Sequence, residues 1–140
     1  MFGDESAPVT TLDEKESFEL LKEHRFGRLA MSVAGLPEIV PINYVVDDER
    51  IIFLTSAGNK LLGLTINSEV AFEVDQIHEH QATSVIVKGV ARRLENRAEI
   101  EFAESLPLYP WVDTEKFYYV EIVPNVITGR SFRLNDHVDD

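Results

Sequence analysis

Residues 41–75 read PINYVVDDERIIFLTSAGNKLLGLTINSEVAFEVD, and the order of elements in this stretch decides the fold. Glu38–Asp47, which runs into it from upstream, is rich in Ile, Val and Tyr; Asp47–Arg50 is a turn; Ile51–Thr55 is a short buried strand. Asn59–Asn67 spells one or two helical turns carrying Leu61, Leu62, Leu64 and Ile66, and Val70, Phe72 and Val74 then alternate with Ala71, Glu73 and Asp75. The pattern is strand, turn, strand, brief helix, strand. Thr55, Ser56, Gly58 and Lys60 gather where the second strand gives way to the helix. Hydroxyls, a flexible backbone and an ammonium at a helix start suit a phosphate monoester, because the first N–H groups of a helix lack intrahelical partners. The same residues are also ordinary helix-capping chemistry.

Upstream, residues 1–10 read as a flexible lead-in. Thr11 with Glu14 forms a capping-box pattern, opening a helix with Phe18, Leu20 and Leu21 that Gly27 closes in the left-handed conformation. Leu29, Met31 and Val33 alternate with Arg28, Ala30 and Ser32, and Gly35-Leu36-Pro37 turns the chain into the strand from Glu38. Pro41 makes that strand an edge or a bulge at its position. Downstream, Gln76–Ala82 is a polar loop with His78 and His80, and Thr83–Leu94 is a long strand bent at Gly89. Asn96–Leu106 is a helix capped by Asn96. Phe117–Pro124 is a sixth strand, and Val126–Leu134, interrupted by Gly129, is the candidate for a seventh. Six or seven close-spaced strands with only brief helices predict a mainly β, mainly antiparallel barrel rather than a doubly wound sheet. Residues 11–134 form that domain, and 135–140 an acidic tail.

A chain of 140 residues buries about two-thirds of its unfolded surface. With no cysteine there is no disulfide, thiolate nucleophile or thiolate metal site. The first ten residues, MFGDESAPVT, carry no basic or apolar leader pattern, and nowhere do about 18 apolar residues run together; the expectation is a soluble, cytoplasmic protein. Thirteen basic against 25 acidic residues give a net charge of −12, which argues against nucleic-acid and anionic-membrane surfaces. Yet 24–37, 50–68, 80–94 and 122–135 contain no Asp or Glu and hold nine of the 13 basic residues. Such windows either protect a local anion site from the protein's own field or reflect the rarity of Asp in strands.

Catalytic side chains are not evident. There is no G-x-S-x-G elbow, no G-x-G-x-x-G fingerprint and no Walker loop. His78 and His80 lack a third and fourth ligand at matched spacing, so no metal site is expected. His24, at a helix end, suits a structural role. Any redox chemistry must come from a bound cofactor.

The succession GRLAMSVAGLPEIVPINYVVDDERIIFLTSAGNKL (27–61), VAFEVD (70–75), SVIVKGVARRLE (84–95) and VITGRSF (126–132) resembles the flavin-binding split-barrel family of pyridoxamine 5'-phosphate oxidase, in its nitroimidazole-resistance-like branch. The similarity spans about residues 12–134. It implies a six-stranded antiparallel Greek-key split barrel, a homodimer, and FMN in two clefts at the dimer interface. By this resemblance Pro41, Ile42, Asn43 and Tyr44 line the isoalloxazine, and Thr55, Ser56, Lys60 and Leu61 grasp the phosphate. Ser84 presents a polar group from the next long strand, and Trp111 and Arg130 reach in from the C-terminal part. Tyr44 and Ile42 read equally as strand core, Trp111 as a packing or interface anchor, and Arg130 as the partner of a carboxylate. Thr83 stands where many relatives carry Trp, and a single lysine serves the phosphate region; both weaken the case for a vitamin substrate.

The implied activity is that of an FMN-dependent oxidoreductase acting on a small reducible or oxidisable molecule. The alternative is a non-catalytic module on the same barrel that carries flavin, deazaflavin or haem. Long strands with Ile and Val on both faces, as in Val85-Ile86-Val87 and Ile51-Ile52-Phe53-Leu54, independently favour a homodimer, since one small barrel cannot cover them.

Overall fold

The computed structural model describes residues 8–56, 68–110 and 117–135. Its elements are β1 (Val9–Leu12), α1 (Glu14–Glu23), β2 (Phe26–Val33), β3 (Leu36–Asp47), β4 (Arg50–Ser56), β5 (Glu69–His78), β6 (Gln81–Arg93), α2 (Arg97–Glu104) and β7 (Phe117–Arg133). All strand pairings are antiparallel, in the order β1-β7-β4-β3-β2-β5-β6, and β6 pairs back onto β7. Strands β2 to β7 therefore close a six-stranded ring, the split barrel expected from the sequence. Strand β1 is an addition. It reaches back to Val9, within the stretch read as a lead-in, and pairs Val9–Leu12 with Phe132–Gly129.

Alternation decides what faces inward. Leu29, Met31, Ile42, Tyr44, Ile51, Phe53, Val70, Phe72, Val74, Val85, Val87, Ala91, Val120 and Ile122 fill the ring, with Phe18, Leu20 and Leu21 of α1 joining them. The Tyr44 ring meets Phe72 edge-on at 4.8 Å between centroids, and its hydroxyl donates to the Leu21 carbonyl at 2.7 Å. That bond satisfies the one polar atom this ring brings into the core. On the outside, Val45, Ile52 and Leu54 pack with Leu94, Leu108 and Ala103 of α2. One barrel wall is thus apolar on both faces, which explains the unbroken run Ile51–Leu54.

Several local expectations shift. The capping box is Asp13 with Glu16, not Thr11 with Glu14: Asp13 Oδ1 accepts from the Glu16 amide at 2.7 Å, and Glu16 Oε1 from the Asp13 amide at 3.0 Å, while Thr11 is committed to β1. Helix α1 ends at His24 in an extended conformation (φ −117°), and Gly27 lies inside β2, where a Cβ would stand 2.6 Å from the Phe72 ring. No polar loop separates β5 from β6. They meet in a two-residue turn, Glu79-His80, with both φ positive (48° and 63°), the hairpin geometry that matches strand twist. Strand β7 is continuous through Pro124 and Gly129. Its register with β6 slips between Lys88 and Gly89, leaving Asn125 without an opposite residue, and a side chain at Gly89 would run into the Val123 carbonyl. Strand β3 pairs with β2 as far as Asn43 and with β4 only from Tyr44. Pro41 accordingly sits where β3 has one ladder neighbour, and its missing N–H costs nothing. The expected helix over 59–67 lies outside the described residues.

Candidate functional site

The barrel interior is packed, so binding chemistry must lie on its outer surface or at its rim. On the outside a belt of polar side chains crosses four strands, flanked by Pro41 of a fifth. Pro41 of β3 stands opposite Arg28 of β2, and Arg28 opposite Glu73 of β5. Asp75 is opposite Ser84 of β6, and Ser84 opposite Arg130 of β7. Arg28 Nη2 lies 2.6 Å from Glu73 Oε1 and 3.1 Å from Asp75 Oδ2, and Ser84 Oγ donates a long bond of 3.5 Å to Glu73 Oε2. Burial pushes the Glu73 carboxyl above the usual carboxylate range and Asp75 beside it adds to the effect, while Arg28 pulls it back. Two carboxylates thus share one guanidinium.

At the other end of the same barrel wall, a second network is anchored on β7. Glu121 accepts from Arg50 Nε at 3.1 Å and from Arg92 Nη2 at 2.8 Å, and Arg92 also pairs with Glu99 of α2 at 3.1 Å. Burial alone would raise the Glu121 carboxyl, but the hydrogen bonds from Arg50 and Arg92 outweigh it and hold the group below its ordinary value.

The rim where β4, β6 and β7 end differs in kind. Thr55 continues the inward series Ile51 and Phe53, is 5% exposed, and its Oγ1 has no hydrogen-bond partner among the described residues. A buried hydroxyl without a partner is uncommon and costs about 1–3 kcal/mol. Directly opposite Thr55 stands Tyr118, and the Arg93 guanidinium lies over the Tyr118 ring, its Cζ 3.7 Å from the centroid.

The residues singled out in the sequence separate accordingly. Pro41, Ser84 and Arg130 reach the outer belt. Asn43 is at its edge, its Nδ2 donating to the Tyr109 carbonyl at 2.8 Å. Thr55 is at the inner rim, and Ser56 follows it on the opposite face, paired with Phe117. Ile42 and Tyr44 face the core, 4% and 0% exposed, the core placement that their sequence reading also allowed, because successive residues of a strand alternate between faces. Lys60, Leu61 and Trp111 lie outside the described residues. Arg130 has no carboxylate partner among the described residues. Glu73 and Asp75 were missed, although the alternation of VAFEVD puts both on the polar face; Arg93 and Tyr118 were missed too. Of the described histidines, His24 Nε2 meets Gln76 Oε1 at 2.9 Å, and His78 and His80 are exposed. Among the described residues no group of three or more His, Asp or Glu side chains gathers as metal ligands, and no helix is long and apolar enough to cross a membrane.

The sequence model of the pyridoxamine 5'-phosphate oxidase family matches residues 13–131. The chain belongs to this family. The match begins at the α1 cap and ends in β7, so it takes in all six ring strands of the oxidase-family barrel and leaves out β1. A FAD binding protein from Mycobacterium smegmatis is 40% identical, with a TM-score of 0.83 over 90% of this chain and 100% of that one. A structure from Corynebacterium glutamicum, described as a candidate pyridoxamine 5'-phosphate oxidase, is 39% identical with a TM-score of 0.86, over 96% and 99% of the two chains. An uncharacterized protein of Mycobacterium tuberculosis is 32% identical over 128 residues, which is 86% of this chain and 84% of that protein. The family expected from the ordered motifs is the family found.

Proposed function

We propose that this chain binds a phosphorylated flavin, FMN in the first instance, and serves as a flavin-dependent oxidoreductase for a small reducible or oxidisable molecule. The observation that carries this reading is the Thr55 hydroxyl, buried at the barrel rim and without a partner among the described residues, in a member of this family. A phosphate oxygen is an acceptor suited to it. The residues present fit the group: Thr55 as a hydroxyl donor at the inner rim, Ser56 beside it at the strand end, and Lys60, outside the described residues, as a cation. Pro41, Asn43, Ser84 and Arg130 are the outward-facing candidates for the ring system and its polar edge. Bound flavin supplies hydride or electron transfer, so the protein's tasks are to hold the phosphate, orient the ring and limit water.

The FAD binding described for the Mycobacterium smegmatis protein at 40% identity makes FAD the second cofactor to test, ahead of a deazaflavin. A homodimer with its cofactor clefts at the interface belongs to the same proposal. Its support is the exposed apolar residues Ile39 of β3 and Ile86 of β6, 63% and 37% exposed, on the outer surface that carries Pro41 and Ser84. The test is the visible spectrum of the purified protein, followed by titration with FMN, FAD and a deazaflavin and by light scattering. Saturable binding of one flavin per protomer in a dimer is expected. A chain that takes up none of them overturns the cofactor assignment, and bound flavin that no donor reduces would make the protein a carrier.

A further inference from the structure

Arginines in a chain of net charge −12 ordinarily find carboxylates, and three of the four half-buried ones do. Arg28 has Glu73 and Asp75, Arg50 has Glu121, and Arg92 has Glu121 and Glu99. Arg25 donates to the Pro107 carbonyl, and Arg97, Arg130 and Arg133 are exposed to solvent. Arg93 is different: it is half-buried, and no carboxylate meets it among the described residues. Its guanidinium is held by the face of Tyr118, 3.7 Å away. Stacking occupies the π-face of a guanidinium and leaves the N–H donors in its plane free to grip an anion.

The strand register brings this cation to the unpartnered hydroxyl. Ala91 is in the core, so alternation puts Arg93 on the inner face of β6, and Val120 likewise puts Tyr118 on the inner face of β7. Arg93 is in register with Val120, two residues from Tyr118, and Tyr118 is in register with Thr55. Arg93, Tyr118 and Thr55 therefore share one inner rim. The rim offers a fixed positive charge and a buried donor that has no acceptor among the described residues.

We propose that Arg93, stacked on Tyr118, is the cation that pairs with the phosphate of the bound flavin while Thr55 donates its hydroxyl to the same group. This rests on the flavin reading above and assigns the residue that distinguishes phosphorylated flavins from riboflavin. An anion is the ligand class such a rim selects, because a charge-assisted bond from a fixed guanidinium is about twice as strong as a neutral one.

The test is titration of FMN, FAD and riboflavin against the full-length wild type, Arg93→Met and Arg93→Lys, with thermal melting of each variant recorded alongside. Methionine retains an apolar contact with Tyr118 and removes the charge. In Arg93→Met the affinity for the better-bound of FMN and FAD should fall about 10- to 150-fold, riboflavin should change by less than about twofold, and lysine should restore part of the loss. Equal losses for the phosphorylated flavin and riboflavin, or unchanged binding of both, overturns the assignment of Arg93 while leaving flavin binding intact. A wild type that binds none of the three overturns the flavin reading itself.

Discussion

Arg92 and Arg93 are neighbours in one strand and face opposite ways, and they are held by opposite means. Arg92, on the outer face, is neutralised by two carboxylates from β7 and α2. Arg93, on the inner face, lies on an aromatic ring beside an unsatisfied hydroxyl. The first arrangement is complete without a ligand, and the second is not. Where a strongly acidic protein leaves one half-buried cation without a carboxylate among the described residues, binding is the reading with most physical content.

The sharpest way to break this contrast is upstream in the same strand. At Gly89 an added methyl runs into the Val123 carbonyl, a backbone atom that cannot step aside without opening the β6–β7 ladder. Gly89→Ala should cost about 3 kcal/mol, the upper end of overpacking penalties, and should weaken the Arg92 network and the rim together; denaturant unfolding measures the loss. Next in size, Glu121→Ala removes the carboxylate between Arg50 and Arg92. Losing one partner of a buried pair costs about 3–5 kcal/mol, but the arginine side chains here are 35% and 39% exposed. A loss of about 2 kcal/mol is expected, with binding at the rim unaffected. Arg93→Met should cost only about 0.5–1 kcal/mol of stability, the worth of its contact with Tyr118. A loss as large as that of Glu121→Ala would mean that Arg93 is as structural as Arg92.

The smallest effects are in pH dependence, and they have opposite signs in the two outer networks. The folded Glu121 carboxyl titrates below its unfolded value of about 4.3. Its contribution is present above that value and is lost as pH falls through the folded one. Glu73 titrates higher folded than unfolded, so its linkage term falls as pH rises from about 4.3 through the folded value. Thermal melts across about pH 3 to 7 should therefore show a shallower acid limb in Glu121→Gln and a flatter upper limb in Glu73→Gln. Identical profiles in the two variants would contradict the assigned directions.

Much of the fold was legible because alternation is a strong signal. Arg28–Val33 and Val70–Asp75 place their core and polar faces where the period of two puts them. Strand β1 was hidden because VTTL has only four residues, and its partner in β7 lies well over a hundred positions away. The capping box shifted because the same pattern occurs twice, two residues apart, and the choice depends on Thr11 being taken by β1. In PINY the resemblance gave all four residues to the flavin ring, with Ile42 and Tyr44 read equally as strand core; alternation puts those two within and Pro41 and Asn43 without. Of the rim only Thr55 was legible: the meeting of Arg93 with Tyr118 depends on the β6–β7 register and on its slip at Gly89.

Thr55 is the residue on which the account turns, and Thr55→Val is nearly isosteric while removing only the hydroxyl. The decisive measurement is calorimetric titration of FMN and riboflavin against wild type and Thr55→Val. A buried hydroxyl that donates to phosphate predicts a loss of about 10- to 150-fold for FMN, the range for a hydrogen bond to a charged group, with riboflavin unchanged and the fold as stable as before or more so. Unchanged FMN affinity, or an equal loss for both ligands, would contradict it.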